Sequence, residues 1–158
     1  MFAIKMELSS PQEYSLTLYG GGGYSVEGAN GETKFSSPAS SPNIPKLYVV
    51  YDGKVIHYVG AATRPMSERL RSGFNAKGLH GYHGYKWKNH ESVLGLTIWA
   101  LKGVSDEDAW QELETIEAEM VFLCRLYTEQ WPASQHEIHF HKSKEHHRKL
   151  ALQIFEHL

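Results

Sequence analysis

The chain has 158 residues, 41% of them apolar and 22% charged, with a net charge of −2. That composition can fill the core of one domain, or of one domain with an appendage; it excludes a disordered chain and a uniformly basic nucleic-acid coat protein. The single cysteine, Cys124, rules out an internal disulfide and a four-cysteine zinc site. With no signal-like start and no apolar run near the ~20 residues of a membrane helix, the expectation is a soluble cytoplasmic protein with no membrane partner.

Residues 13–27 predict a β-hairpin, because Leu16, Leu18 and Tyr19 precede four glycines and Tyr24 and Val26 follow them. The glycine run lacks the Lys-Ser/Thr ending and the following helix that a phosphate-cradling loop needs. Residues 28–45 are rich in Ser, Pro, Gly and Asn without periodicity, which predicts a linker or ordered loop. The chain thus divides into an N-terminal hairpin extension with its linker, 1–45, and a main domain, 46–158. Two apolar runs, 47–51 and 55–60, flank Asp52-Gly53 and predict a hairpin covered on both faces.

A helix capped by Thr63 or Arg64, with Pro65 in its first turn, carries an apolar stripe of Met66, Leu70 and Phe74. A loop of Gly, His, Tyr, Lys and Trp spans 78–89, and a third strand spans 93–101. A long acidic helix runs from 106 to about 129 with Ser105 as its cap, and acids in its first turn suit the helix dipole. A short strand at 137–141 and a helix at 143–158 close the chain. The fold class is α/β, a small and mainly antiparallel sheet flanked by helices.

Charge is segregated along this order. Residues 64–88 hold six bases (Arg64, Arg69, Arg71, Lys77, Lys86, Lys88) against one acid, Glu68, whereas residues 106–119 hold seven acids and no base. A basic stretch interleaved with Gly, His and Tyr suits an anionic partner.

Lys46-Leu47-Tyr48, ten residues before Tyr58-Val59-Gly60, followed by a helix bearing Glu68-Arg69-Leu70 and later by Ile116-Glu117-Ala118-Glu119, resembles the GIY-YIG nuclease superfamily. Lys46-Leu47 stands where Gly-Ile is usual, and Val59 replaces Ile. The resemblance implies a magnesium-dependent endonuclease (Mn²⁺ is an alternative ion) that hydrolyses double-stranded DNA to a 3′-hydroxyl and a 5′-phosphate. It implies Arg69 at the scissile phosphate, Tyr48 positioning or deprotonating the water, Tyr58 hydrogen-bonding near the phosphate, and Glu117 holding the metal. A phenol acting as base needs a nearby cation to lower its pKa; His57, Lys46 and Arg69 are the candidates.

Helical geometry separates Glu117 from its acidic neighbours. With Leu113 at 0°, Ile116, Met120, Cys124 and Val121 fall on one stripe and Glu117 lies inside it at about 40°, while Glu119 lies at about 240°. A carboxylate facing inward needs a partner, a proton or a cation. A salt bridge to Arg69 is the structural alternative to a metal there. Glu112, Glu114 and Glu119 read as solvated.

The tyrosines carry a register problem. A two-residue turn at Asp52-Gly53 puts Tyr58 on the opposite sheet face from Tyr48, so one shared site requires a longer turn or a bulge. Two positions depart from the family pattern. Gly73 stands where many relatives carry histidine, leaving His80 or His83 as substitutes. Gln135 stands where asparagine is frequent and keeps a supporting amide.

DNA contacts are expected from Arg64, Arg71 and Lys77 and from Tyr82, Tyr85, Lys86 and Lys88 of the 78–89 loop, whose lysines suit phosphates and whose aromatics suit bases. A rival chemistry comes from the C-terminal histidines: His139 and His141 share a strand face near His136, His146 and His147, a set that suits Zn²⁺ or Ni²⁺. The sequence reading is a stand-alone, restriction-type endonuclease, and cutting both strands with one site needs a homodimer or successive nicks. The alternatives are an inactive nucleic-acid-binding module on the same scaffold, a structure-specific repair nuclease, and a histidine-based metal-binding protein.

Overall fold

In the computed structural model, which describes residues 5–79, 84–87, 91–134 and 138–158, one long strand organises the molecule. The elements are β1 (Glu7–Leu8), β2 (Gln12–Gly20), β3 (Gly23–Gly28), β4 (Lys46–Asp52), β5 (Val55–Ala62), α1 (Met66–Asn75), β6 (Glu91–Lys102), α2 (Ala109–Thr128) and α3 (Glu145–His157). Strand order is β3-β2-β6-β4-β5, with β1 pairing the far end of β6. Every pairing is antiparallel. The N-terminal hairpin is continuous with the main sheet, since β2 pairs with β6 from Gln12↔Ile98 to Tyr19↔Glu91.

The central strands are apolar on both faces, and both are covered. One face packs Tyr48 and Val50 of β4 against Met66, Leu70 and Phe74 of α1 and against Leu16 and Leu18 of β2. The other packs Leu47, Val49 and Val59 against Leu113, Ile116 and Met120 of α2 and Leu150 and Ile154 of α3. The alternation along β4 therefore sorts successive side chains into two cores. No helix among the described residues is long and apolar enough to cross a membrane.

Residues 29–45 form an ordered loop tied to the sheet. Ala39 N–H donates to Gln12 Oε1 at 3.0 Å, Met66 N–H donates to Ala39 O at 2.9 Å, and Leu101 N–H donates to Pro45 O at 2.8 Å.

Three local expectations change. Pro65 itself is the N-cap of α1, without a side-chain cap from Thr63 or Arg64. Ser105 caps a turn rather than α2: its Oγ donates to Asp108 Oδ2 at 3.0 Å and accepts from Asp108 N–H at 3.3 Å, and the helix starts at Ala109. The strand expected at 137–141 is absent over residues 138–141, which are irregular. The outer side of β5 is taken there by Ala133 N–H on Ile56 O and Ser134 N–H on His57 O, each at 2.8 Å. The imidazoles of His139 and His141 turn instead toward Glu114.

Lys46 begins β4 fully buried. Its Nζ donates to Ser41 O at 2.9 Å and Ile44 O at 2.7 Å, and burial lowers its pKa from 10.5 to about 8. The unfolded chain holds that proton more tightly than the folded one, so stability rises with pH between about 8 and 10.5 and is flat for this group below that window. Urea midpoints measured at pH 7.5 and again near pH 10 should show this rise in the native chain relative to Lys46→Met, which lacks the titrating group.

Candidate functional site

The register of β5 decides where the phenols point. Tyr48 pairs with Gly60, Val50 with Tyr58, and then Tyr51 with Ile56, leaving His57 as an extra residue opposite the Val50/Tyr51 step. The bulge turns Tyr58 to the face of Tyr48, and their ring centroids lie 6.0 Å apart. Without it, Tyr58 would stand opposite Val49 and point at α2.

A cleft of about 150 Å³ is lined by Tyr58 and Ala61 of β5, Arg69 of α1, Trp110, Glu114 and Glu117 of α2, and His139. β5 is an edge strand. Helices from opposite faces of the sheet reach around that edge, which is how a guanidinium from one layer and a carboxylate from the other share one space. The apolar stripe of α2 holds: Leu113, Ile116, Met120, Val121 and Cys124 are buried. Glu117 and Glu119 are both partly buried, so Glu119 is not the solvated acid the wheel predicts, but only Glu117 lines the cleft.

Tyr48 lies behind the cleft rather than in it. It is fully buried, and its hydroxyl shares a 2.7 Å hydrogen bond with Tyr85 Oη. Burial raises its pKa well above 10.0; Tyr85 and Glu117 add to the rise, and Arg69 opposes it without prevailing. A water-activating base at Tyr48 is therefore not what this geometry provides. Lys46 is occupied by two carbonyls, and His57 sits on the bulge, outside the residues that line the cleft.

Tyr85 fills the space over Gly73. A Cβ on Gly73 would fall within the Tyr85 ring, just as one on Gly60 would fall within the Tyr48 ring. Tyr85 N–H donates to Gly73 O at 3.1 Å, its ring stacks on Trp87 with centroids 4.4 Å apart, and Arg69 Cζ lies 4.9 Å from its centroid. Tyr85, expected as an exposed DNA contact, is only 2% exposed. Withdrawing such a ring from the core loses about 2 kcal/mol or more, as much as stacking on a base returns. The sequence signal for this role is the glycine itself: a missing side chain on a buried helix face makes room for another.

Arg64, Arg71, Lys77 and Lys86 are exposed, as a phosphate-contacting surface requires. His80, Tyr82, His83, Lys88 and Gln135 lie outside the described residues.

Glu112 and Glu114, read from sequence as solvated, are each bracketed by two histidines. Glu114 meets His141 Nε2 at 3.1 Å and His139 Nδ1 at 3.6 Å. Glu112 meets His146 Nε2 at 3.3 Å and accepts a short hydrogen bond from His147 Nε2. Lys144 N–H donates to His147 Nδ1 at 2.9 Å, so that nitrogen is unprotonated and the ring is a neutral Nε2–H donor. Burial pushes the His147 pKa down, consistent with a neutral ring. Burial alone would raise Glu112, but the hydrogen bonds from His147 and His146 hold its carboxyl below the usual value. One ligand atom from each of Glu112, His146 and His147 lies within 4.8 Å of the others, so this set can coordinate a divalent metal ion. Among the described residues, the metal-like grouping is on α2 and α3 rather than at the pair His139 and His141.

No family model matches the chain, and no match was found among curated proteins or solved structures.

If the Tyr85 ring fills the Gly73 gap, the two positions are energetically coupled. Gly73→Ala should destabilise by about 1–3 kcal/mol through overpacking and Tyr85→Ala by about 3–5 kcal/mol. In a urea-unfolding cycle the double variant should fall short of the sum by at least about 0.5 kcal/mol.

Proposed function

We propose that the protein is a magnesium-dependent endonuclease that hydrolyses DNA phosphodiester bonds. The observation that carries this reading is the edge cleft, where Tyr58, Arg69 and Glu117 meet in one small volume. The element order strand–turn–strand–helix–strand–helix that the GIY-YIG resemblance implies is also the order of β4, β5, α1, β6 and α2.

The donor set fits Mg²⁺. Glu114 and Glu117 offer hard carboxylate oxygens on a cleft open enough for water and a substrate phosphate, and this ion is held by few carboxylates with its remaining positions so filled. When bound, the ion neutralises phosphate charge and stabilises the leaving oxygen. Glu117 holds it. Arg69, its guanidinium set over the Tyr85 ring, donates to the phosphate oxygens, whose charge grows in the transition state. Tyr58 hydrogen-bonds beside the phosphate. Tyr48 acts as a positioning residue, since its buried bond to Tyr85 fixes the ring that orients Arg69. Arg64, Arg71, Lys77 and Lys86 track the duplex backbone as sequence-independent contacts. A restriction-type role remains the preferred form, and one such cleft per chain needs a second copy or a second encounter to cut both strands.

Glu117→Ala and Arg69→Ala should each abolish Mg²⁺-dependent nicking of supercoiled plasmid while leaving the urea midpoint within about 1 kcal/mol of native stability. Tyr48→Phe, by contrast, should lower the rate and the stability together. Undiminished nicking by either of the first two variants overturns the assignment.

A second reading has its own observation. The Glu112–His146–His147 set supports a histidine-based metal-binding protein with no nucleic-acid role, and its three donors are more fully assembled than those available to Mg²⁺ in the cleft. Zinc uptake by a chain that neither cleaves DNA nor binds it in a salt-dependent manner favours this reading over the first. A salt-sensitive gel shift without cleavage in any divalent metal marks the inactive binding module instead.

A further inference from the structure

We infer that Glu112, His146 and His147 form a zinc site that fastens the first turn of α3 to the first turns of α2. The inference rests on the metal-binding chemistry of these histidines and is independent of any reaction at the cleft.

The donors come from two helices that share one core face, so an ion bound by all three cross-links elements separated by sixteen residues of chain (129–144). Glu112 supplies Oε2; His146 and His147 supply their Nε2 atoms. Two imidazoles and one carboxylate suit a borderline ion such as Zn²⁺, and are a poor match for Mg²⁺, which prefers oxygen. His147 is almost fully buried beside the shared core, so its ring is held by packing before any ion arrives. His146 is partly exposed and lines a groove of about 550 Å³ that also holds Lys5, Glu7, Glu145 and Lys149. The groove brings solvent to His146, the most exposed of the three donors.

Coordination requires the other tautomer of His147. Its proton would pass from Nε2 to Nδ1 by exchange with water, so the ion takes the place of the Nε2 bond to Glu112 and the Lys144 N–H contact at Nδ1 is given up. The net loss is then that helix-capping bond.

The test titrates the full chain, without DNA, with Zn²⁺ alone in a calorimeter and follows thermal unfolding. The native chain should take up one equivalent at micromolar Kd or tighter, with Tm rising by several degrees, and should show no comparable response to Mg²⁺. His146→Ala, at the most exposed of the three donors, should weaken Zn²⁺ at least tenfold and lose the Tm rise, whereas a His139→Ala/His141→Ala double variant should retain both. Uptake that survives His146→Ala overturns this site while leaving a metal-binding protein in place. Uptake without a Tm rise overturns the fastening role, and no uptake at all overturns both.

Discussion

Strand β5 carries one more residue than the stretch of β4 it faces, and that mismatch is what brings Tyr48 and Tyr58 to one side of the sheet. Side chains alternate along a strand with period two, so a one-residue change in pairing transfers every following side chain to the other face. Here the change falls between two cores that both need filling. Ile56 stays with the α2–α3 core, and Tyr58 joins the aromatic group on the α1 side. The bulge thus satisfies packing on both faces and aims a phenol at the cleft in the same step.

Behind that phenol the aromatic side chains form a support. Tyr48, Tyr58, Tyr85, Trp87 and Phe74 are in mutual ring contact, and Arg69 rests over one member of the set. Gly60 and Gly73 are the two positions at which the rings come too close for any side chain. The space over Gly73 on α1 is filled by a ring from the following loop. The cleft itself is lined by groups that reach around the sheet edge, and the buried hydroxyls lie behind them.

Much of this was legible in the chain. The α2 stripe singled out Glu117 because Leu113, Ile116, Met120 and Cys124 fix an apolar side that an acid interrupts. The requirement that two tyrosines share a site pointed to a bulge or a longer turn. Tyr85 was misassigned because a loop rich in Gly, His and Lys looks exposed, and only the three-dimensional vacancy at Gly73 gives its ring a destination. The strand expected near His139 followed from period-two spacing, yet the adjacent β5 carbonyls already have partners. The pairing of Glu112 with His147 joins residues 35 positions apart, a distance over which one sequence carries no signal.

The placement of β6 at the centre of the sheet has a consequence for how the chain is made. β1, β2 and β4 all hydrogen-bond to a strand that begins at Glu91, so none of them completes its pairing until synthesis has passed that point. Until then the β4–β5 hairpin, with Leu47, Val49 and Val50, presents apolar surface and an unpaired edge to solvent. Pairings of such long sequence separation close slowly. The nascent chain therefore passes through a stage in which premature association competes with completion of the sheet.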